Sequence, residues 1–353
     1  MKQYLWMAAA AALTMSACSN DEVIDVQRGE AIGFTALSNN ATRATPIEST
    51  NLTSTDFKVW GFLKAGNSTY VNGVRIHYSN SKWDYAQASD VAYWPTGALD
   101  FYAVSPSTAE TPSITNSART INFTVDANQA NQKDLMYASK LNHAKTDGVT
   151  VPFVFKHALS QIVFKGQKAL ASLEVEVQGI KVHNLKNTGV FTFPSTQTAA
   201  GSTAGSWNVT GEATNDYTLG MATTPIIVAS HESATDLTAA NGALLLMPQA
   251  VTKWTTTPTT AVTIATAEQN KHCYLEIDLK VKQAETYIVG SESSFGKAYV
   301  PFGETWTPGK KYIYTLKFGG GYDENGKPQL QPIMYSATVE DWTPTDSDVN
   351  LNV

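Results

Sequence analysis

The chain has 353 residues and a formal net charge of −6, with charged residues at 16%, low against the roughly 25% of ordinary soluble domains. That length suggests two domains of ordinary size, and the mildly acidic balance leaves no basic footprint for nucleic acid. There are two cysteines, Cys18 and Cys273. Beyond Cys18, Cys273 has no partner for a disulfide or a thiolate metal site, and it reads as a small buried hydrophobe.

From the N-terminus, Lys2 supplies a positive charge and residues 4–13 are apolar over the length of a secretory signal, too short to span a bilayer. Met15-Ser16-Ala17-Cys18 resembles the bacterial lipobox, where a peptidase cuts before the cysteine and the thiol carries lipid. Residues 1–17 read as the signal peptide, and their removal takes away Lys2 and no acid. Several acyl chains on Cys18 would hold a protein stably at a membrane. Ser19-Asn20-Asp21-Glu22 resembles a short acidic surface-targeting tag, though acidic tethers are also plain solvated linkers.

Residues 31–37 follow as a half-buried strand in which Ile32, Phe34 and Ala36 share one face by period two. After a polar run, Arg43 stands before Ala44, with Pro46 close behind. Of the other arginines, Arg28 lies in the tether, Arg75 inside a strand-like run and Arg119 just before another, residues 120–125. Arg43 is therefore the loop position best placed for an Arg-specific protease; the alternative is an ordinary surface arginine.

Residues 56–104 read as short strands and turns, with Gly66-Asn67 and Asn72-Gly73 as turn signals, the second for a tight hairpin. Dense aromatics around Trp83, Tyr93, Trp94 and Phe101 fit alternate packing inside a sandwich or, alternatively, a sugar platform. Residues 107–117 read as a polar loop and residues 121–125 as a strand. Val151-Pro152-Phe153-Val154-Phe155 alternates and leads into Lys156-His157-Ala158-Leu159-Ser160-Gln161-Ile162. The expected division falls here, giving 44–156 and 157–353 after a lipidated tether with its first strand at 18–43. Strands continue at 173–177, 179–185, 274–281 and 312–318; residues 198–206 are a low-complexity loop. The last strand signal, 333–339, ends at Glu340-Asp341-Trp342. The chain shows no long amphipathic helix, so the fold class is all-β, as two β-sandwich domains in tandem.

Several blocks, in this order, resemble the fimbrillin family of type V pilus lipoproteins. They are Tyr93-Trp94-Pro95, Phe155-Lys156-His157-Ala158-Leu159-Ser160-Gln161-Ile162, Leu244-Leu245-Leu246-Met247-Pro248-Gln249, Trp306-Thr307-Pro308-Gly309-Lys310 and Val339-Glu340-Asp341-Trp342. The resemblance implies two transthyretin-like domains, export to the outer membrane and cell surface with lipid on Cys18, and cleavage after Arg43 by an Arg-specific surface protease. Cleavage would remove the strand of Ile32, Phe34 and Ala36, and other pilus subunits would refill the groove by strand addition. The donated strand would come from the C-terminal stretch, where two apolar sets alternate: Ile333, Tyr335, Ala337 and Val339, or Val349 and Leu351. Equally, residues 333–339 could complete their own domain.

No catalytic constellation is present in the sequence: there is no His-Glu-x-x-His and no Gly-x-Ser-x-Gly, and the six histidines lack ligand spacing. Gly290 and Gly296 are separated by five residues where a phosphate loop has four. No enzyme, cofactor or metal is expected. The two functional readings are a pilus subunit serving adhesion to a host or bacterial surface ligand, and an unpolymerised glycan-binding lipoprotein using Trp83, Trp94 or Trp207.

Overall fold

The structure, a computed structural model, describes residues 29–38, 52–108, 112–115, 117–198, 201–202, 204–219, 224–238, 242–256, 260–329 and 332–342. The first strands are β1 (Gly33–Ser38), β2 (Phe57–Leu63), β3 (Thr69–Ser79), β4 (Lys82–Tyr85) and β5 (Leu99–Ser105). A ribbon of β6 (Pro112–Ile114) and β7 (Arg119–Thr124) precedes β8 (Met136–His143) and β9 (Thr150–His157). Next come β10 (Ser160–Lys168), β11 (Leu173–Leu185), β12 (Thr188–Thr192), the small ribbon β13 (Gln197–Thr198) and β14 (Gly201–Ser202), β15 (Ser206–Thr210) and β16 (Asn215–Leu219). Three short strands, β17 (Ile226–Ile227), β18 (Thr235–Asp236) and β19 (Leu244–Leu246), precede the short helix α1 (Ile264–Gln269). The chain continues through β20 (Tyr274–Gln283), β21 (Thr286–Val289), β22 (Gly296–Pro301), β23 (Lys310–Phe318) and β24 (Met334–Asp341).

The fold is all-β, as its short alternating runs demand. A seven-stranded sheet runs β1-β9-β8-β5-β2-β3-β4, with β1 parallel to β9. In β9, Val151, Phe153 and Phe155 are fully buried and alternate with exposed Thr150, Pro152 and Val154, the period-two signature of a strand with one covered face. One face of this sheet encloses Ile32, Phe34, Phe57, Phe101, Phe153 and Phe155. Its other face packs on a four-stranded sheet, β15-β12-β7-β6, where Tyr102 meets Phe193 at 5.2 Å and Tyr137 meets Phe191 at 4.5 Å between ring centres.

Two further sheets follow, β18-β10-β23-β24 with β19 on β10, and β16-β11-β20-β21 with β17 on β11 and β22 on β20. The expected division at 156/157 falls where β9 leaves the first sheet and β10 joins another. The hydrophobic core is continuous across it: Tyr102, Ile121 and Tyr137 share one cluster with Phe191, Leu246 and Tyr314.

Two local expectations are corrected. Asn72-Gly73 is not a hairpin turn but lies inside β3 at a register shift opposite Val59 and Gly61. Gly73 has φ +65°, and a Cβ there would meet the Trp60 ring at 3.2 Å, so the glycine serves a bulge and makes room for an indole. The reversals flanking β3 use Gly66 and Asn67 on one side and Asn80 and Ser81 on the other, all with positive φ. The polar run 107–117 also contains a strand, β6, which pairs with β7 through backbone atoms; its composition gave no hydrophobic alternation to read.

Candidate functional site

β1 is the edge strand of the seven-stranded sheet and also lies near β4. Along one edge it runs parallel to β9, from Gly33 opposite Thr150 to Ser38 opposite Phe155. At its start, Ile32 N–H donates to Ala92 O (2.9 Å), Gly33 N–H donates to Val149 O (3.0 Å), and Trp94 N–H donates to Glu30 O (3.0 Å). The Tyr85 hydroxyl at the end of β4 donates to Ile32 O at 2.9 Å. Burial pushes that phenol up to about 12, so it remains a donor throughout the neutral range.

The side chains follow the same alternation. Ile32 is fully buried and Phe34 nearly so, while Thr35 is exposed and Ala36 half-buried. The Phe34 ring stacks parallel to Phe153 (5.9 Å, 8°) and edge-on to Tyr85 (5.7 Å) and Phe101 (6.0 Å). Burying side chains of this size contributes about 1.5–3 kcal/mol each. Beneath β1, the apolar floor is Val151, Phe153, Phe155, Phe57 and Phe101. The three residues expected on one face of a removable strand therefore do share one apolar channel, and β1 makes no other strand pairing among the described residues.

The C-terminal strand is held differently. β24 lies antiparallel to β23, from Met334 opposite Lys317 to Asp341 opposite Lys310, and pairs with no other strand among the described residues. Ile333 is buried and Tyr335 half-buried, but Ala337 and Val339 on the same face are exposed, as are Met334, Ser336 and Thr338 on the other. At its end Trp342 is buried again and stacks flat on His157 (3.7 Å, 2°). His157 Nδ1 lies 2.9 Å from Asp134 Oδ2, both side chains being essentially inaccessible. His157 is thus the hydrogen-bonded core histidine that its apolar flanks suggest, and its indole cover is a contact the sequence did not reveal.

The tryptophans weighed as a sugar platform turn inward. Trp94 is buried, its Nε1–H donates to Val149 O (3.1 Å) and its ring meets Phe101 edge-on. Trp83 packs on Phe57 at 4.9 Å, and Trp207 packs on Phe191 while its Nε1–H donates to Ala158 O (2.6 Å). Among the described residues no group of His, Cys, Asp and Glu could hold a metal ion, and Lys297, beside Gly296, pairs with Glu276 and Asp278. Cys273 is a buried free thiol whose pKa burial pushes well above the ordinary range. Cys18, Arg43, Ala44, Val349 and Leu351 lie outside the described residues.

A family model for fimbrillin-like proteins matches residues 42–342. Among solved structures, the chain is similar to candidate cell adhesion proteins from Bacteroides uniformis (17% identity, 89% of this chain and 98% of that one, TM-score 0.46) and Bacteroides ovatus (14%, 90% and 99%, 0.49). It is also similar to the tip fimbrial protein Mfa3 of Porphyromonas gingivalis with a C-terminal truncation (12%, 82% and 94%, 0.41). No curated protein matches the sequence.

Proposed function

The chain belongs to the fimbrillin-like family, which makes it a pilus and adhesion subunit of the cell surface, and on that premise we propose that it is a strand-exchanging subunit exported as a lipoprotein. Cys18 carries the lipid that holds the precursor on the outer membrane. An Arg-specific protease cuts between Arg43 and Ala44, in the segment that follows β1, and β1 leaves with the lipidated tether. The remainder forms the two tandem domains expected on either side of residue 156. A neighbouring subunit then supplies a strand to the vacated channel.

The observation that carries this reading is the placement of β1. It is the first described strand, it occupies one edge through a single parallel ladder, and it seats Ile32 and Phe34 in an apolar channel. Its loss would leave unpaired β9 backbone beside uncovered Val151, Phe153 and Phe155, an edge that invites a strand from another chain. Glycan capture by Trp83, Trp94 or Trp207 has weaker support, because these rings pack inward.

The test is to treat the folded protein, expressed from Ser19, with an Arg-specific protease and follow it by mass spectrometry and size-exclusion chromatography. The expected result is one cut after Arg43, with SDS-resistant oligomers appearing only after cleavage. Resistance at Arg43, or a cleaved product that stays monomeric at high concentration, would overturn strand exchange.

A further inference from the structure

A cleft of about 450 Å³ opens in the second half of the chain, lined by none of the residues of the β1 channel. It lies where the segment after β19, the end of β22 and the start of β24 meet. Its size falls within the range of about 300–1,000 Å³ usual for small-molecule sites. We propose that this cleft binds a neutral sugar, through the sugar's hydroxyl groups and the apolar face of its ring. The inference goes beyond strand exchange and does not depend on it; it gives the adhesion subunit a class of ligand.

The floor of the cleft is aromatic and held rigid. Trp254 is 1% and Tyr322 6% exposed, and both belong to a small core of their own with Tyr274 and Tyr299. The Trp254 ring meets Tyr274 at 5.8 Å and Tyr322 at 5.9 Å, edge-on in both cases. Its Nε1–H donates to Val262 O (3.0 Å), so the indole offers the cleft only carbon. Backbone bonds fix both residues. Trp254 N–H donates to Cys273 O (2.8 Å), and Tyr322 exchanges two bonds with Tyr299 (3.0 and 3.2 Å). Side chains locked in this way need little ordering when a ligand arrives.

The walls carry unused hydrogen-bonding capacity. Lys253 Nζ donates to the Tyr335 hydroxyl (3.1 Å) and lies 4.8 Å from the centre of that ring. The ammonium keeps further protons to donate, and the phenol keeps its own O–H. Thr256 Oγ1 donates to Gly326 O (3.0 Å) and can still accept. The Glu304 carboxylate and the Tyr322 hydroxyl belong to the same lining, and they make no hydrogen bond or ion pair among the described residues. Burial raises the Tyr322 pKa, so its phenol stays a neutral donor and acceptor.

This set discriminates between ligand classes. An anion would meet Lys253 but also face Glu304, and a cation the reverse. A hydrocarbon would cover the floor but leave Lys253, Glu304 and Tyr322 without partners as water is displaced. A neutral sugar matches both parts of the lining: donors and acceptors for adjacent hydroxyls, and an apolar surface for its C–H face.

The test uses the folded, uncleaved chain expressed from Ser19. It is titrated calorimetrically with glucose, galactose, N-acetylglucosamine and lactose, and with glucuronate and glycine as an anion and a zwitterion. The expected result is saturable binding of at least one neutral sugar, about tenfold or more tighter than that of glucuronate or glycine. Y322F removes only the unpaired hydroxyl and should weaken that binding about tenfold or more at an unchanged melting temperature. E304Q, at an exposed position, should weaken it too, whereas W83F, at the β1 channel, should leave it unchanged. No saturable binding of any neutral sugar up to about 10 mM would overturn the proposal. So would glucuronate or glycine binding as tightly, binding that survives both Y322F and E304Q, or binding lost in W83F alone. Every measurement precedes cleavage, so a failure of this proposal and a failure of strand exchange are read separately.

Discussion

At the scale of single residues, His143 carries a pH dependence with a definite sign. Its imidazole is buried beside Trp94, ring centres 5.6 Å apart, at the margin of the β1 channel. Burial, reinforced by Lys140 and partly opposed by Asp147, holds its pKa below the ordinary value. The native state therefore prefers neutral His143, and the unfolded chain binds the extra proton. Stability from this group is present above the unfolded value of about 6.5 and is lost as pH falls below it, at no more than about 1.4 kcal/mol per pH unit for one proton. H143Q should flatten the urea-midpoint profile between pH 7 and 5; an unchanged slope there would reject the assignment. Carboxylate losses come lower: burial opposes the charge of Asp216, but hydrogen bonds to His183 and Lys181 win and hold it far below the ordinary range, so its stabilisation is present above about pH 4 and is lost as pH falls below it.

Among the elements, β1 and β24 are opposites in how they are held. β1 is seated by its alternating side chains, whereas β24 is pinned at its ends by Ile333 and Trp342, with a bare middle. Ion pairs of Lys310 with Asp341 and Lys311 with Glu340 line its pairing with β23, but exposed pairs of this kind contribute at most about 1 kcal/mol. Trp342 is therefore the principal anchor of the strand's end. W342A should lower stability by about 3–5 kcal/mol, the usual cost of emptying a buried tryptophan site, read as a lower denaturant midpoint with an unchanged m-value. A loss under about 1 kcal/mol would mean that β24 is held by its ladder alone.

At the scale of the whole molecule, the continuous core running from Tyr102 and Tyr137 to Leu246 and Tyr314 implies that the two halves melt together. Cleavage and strand exchange would then tie stability to association. The melting temperature of the cleaved protein should rise with protein concentration by mass action, while that of the uncleaved protein stays constant. Calorimetry over a hundredfold concentration range checks this, and a cleaved form with a constant melting temperature would speak against a donated strand.

Much of this molecule was written in local patterns. The alternation at 151–155, the isolated strand at 31–37 and the absence of long amphipathic runs gave the all-β class and the apolar face of the first strand, because period-two burial is a local property of extended chain. Turn chemistry was less legible. Asn72-Gly73 has the composition of a hairpin, yet the Trp60 ring and the bulge against Val59 and Gly61 place it inside a strand, and three-residue β6 is too short for an alternation to be read, with Ile114 its one side chain in the main core. What the sequence could not contain was any pairing between distant strands. That β1 lies parallel to β9, that Tyr85 caps Ile32, that Trp342 covers His157 and that β24 is bare in the middle all depend on which segments meet after folding. Residues remote in sequence meet only because strands far apart in the chain enclose the same apolar clusters.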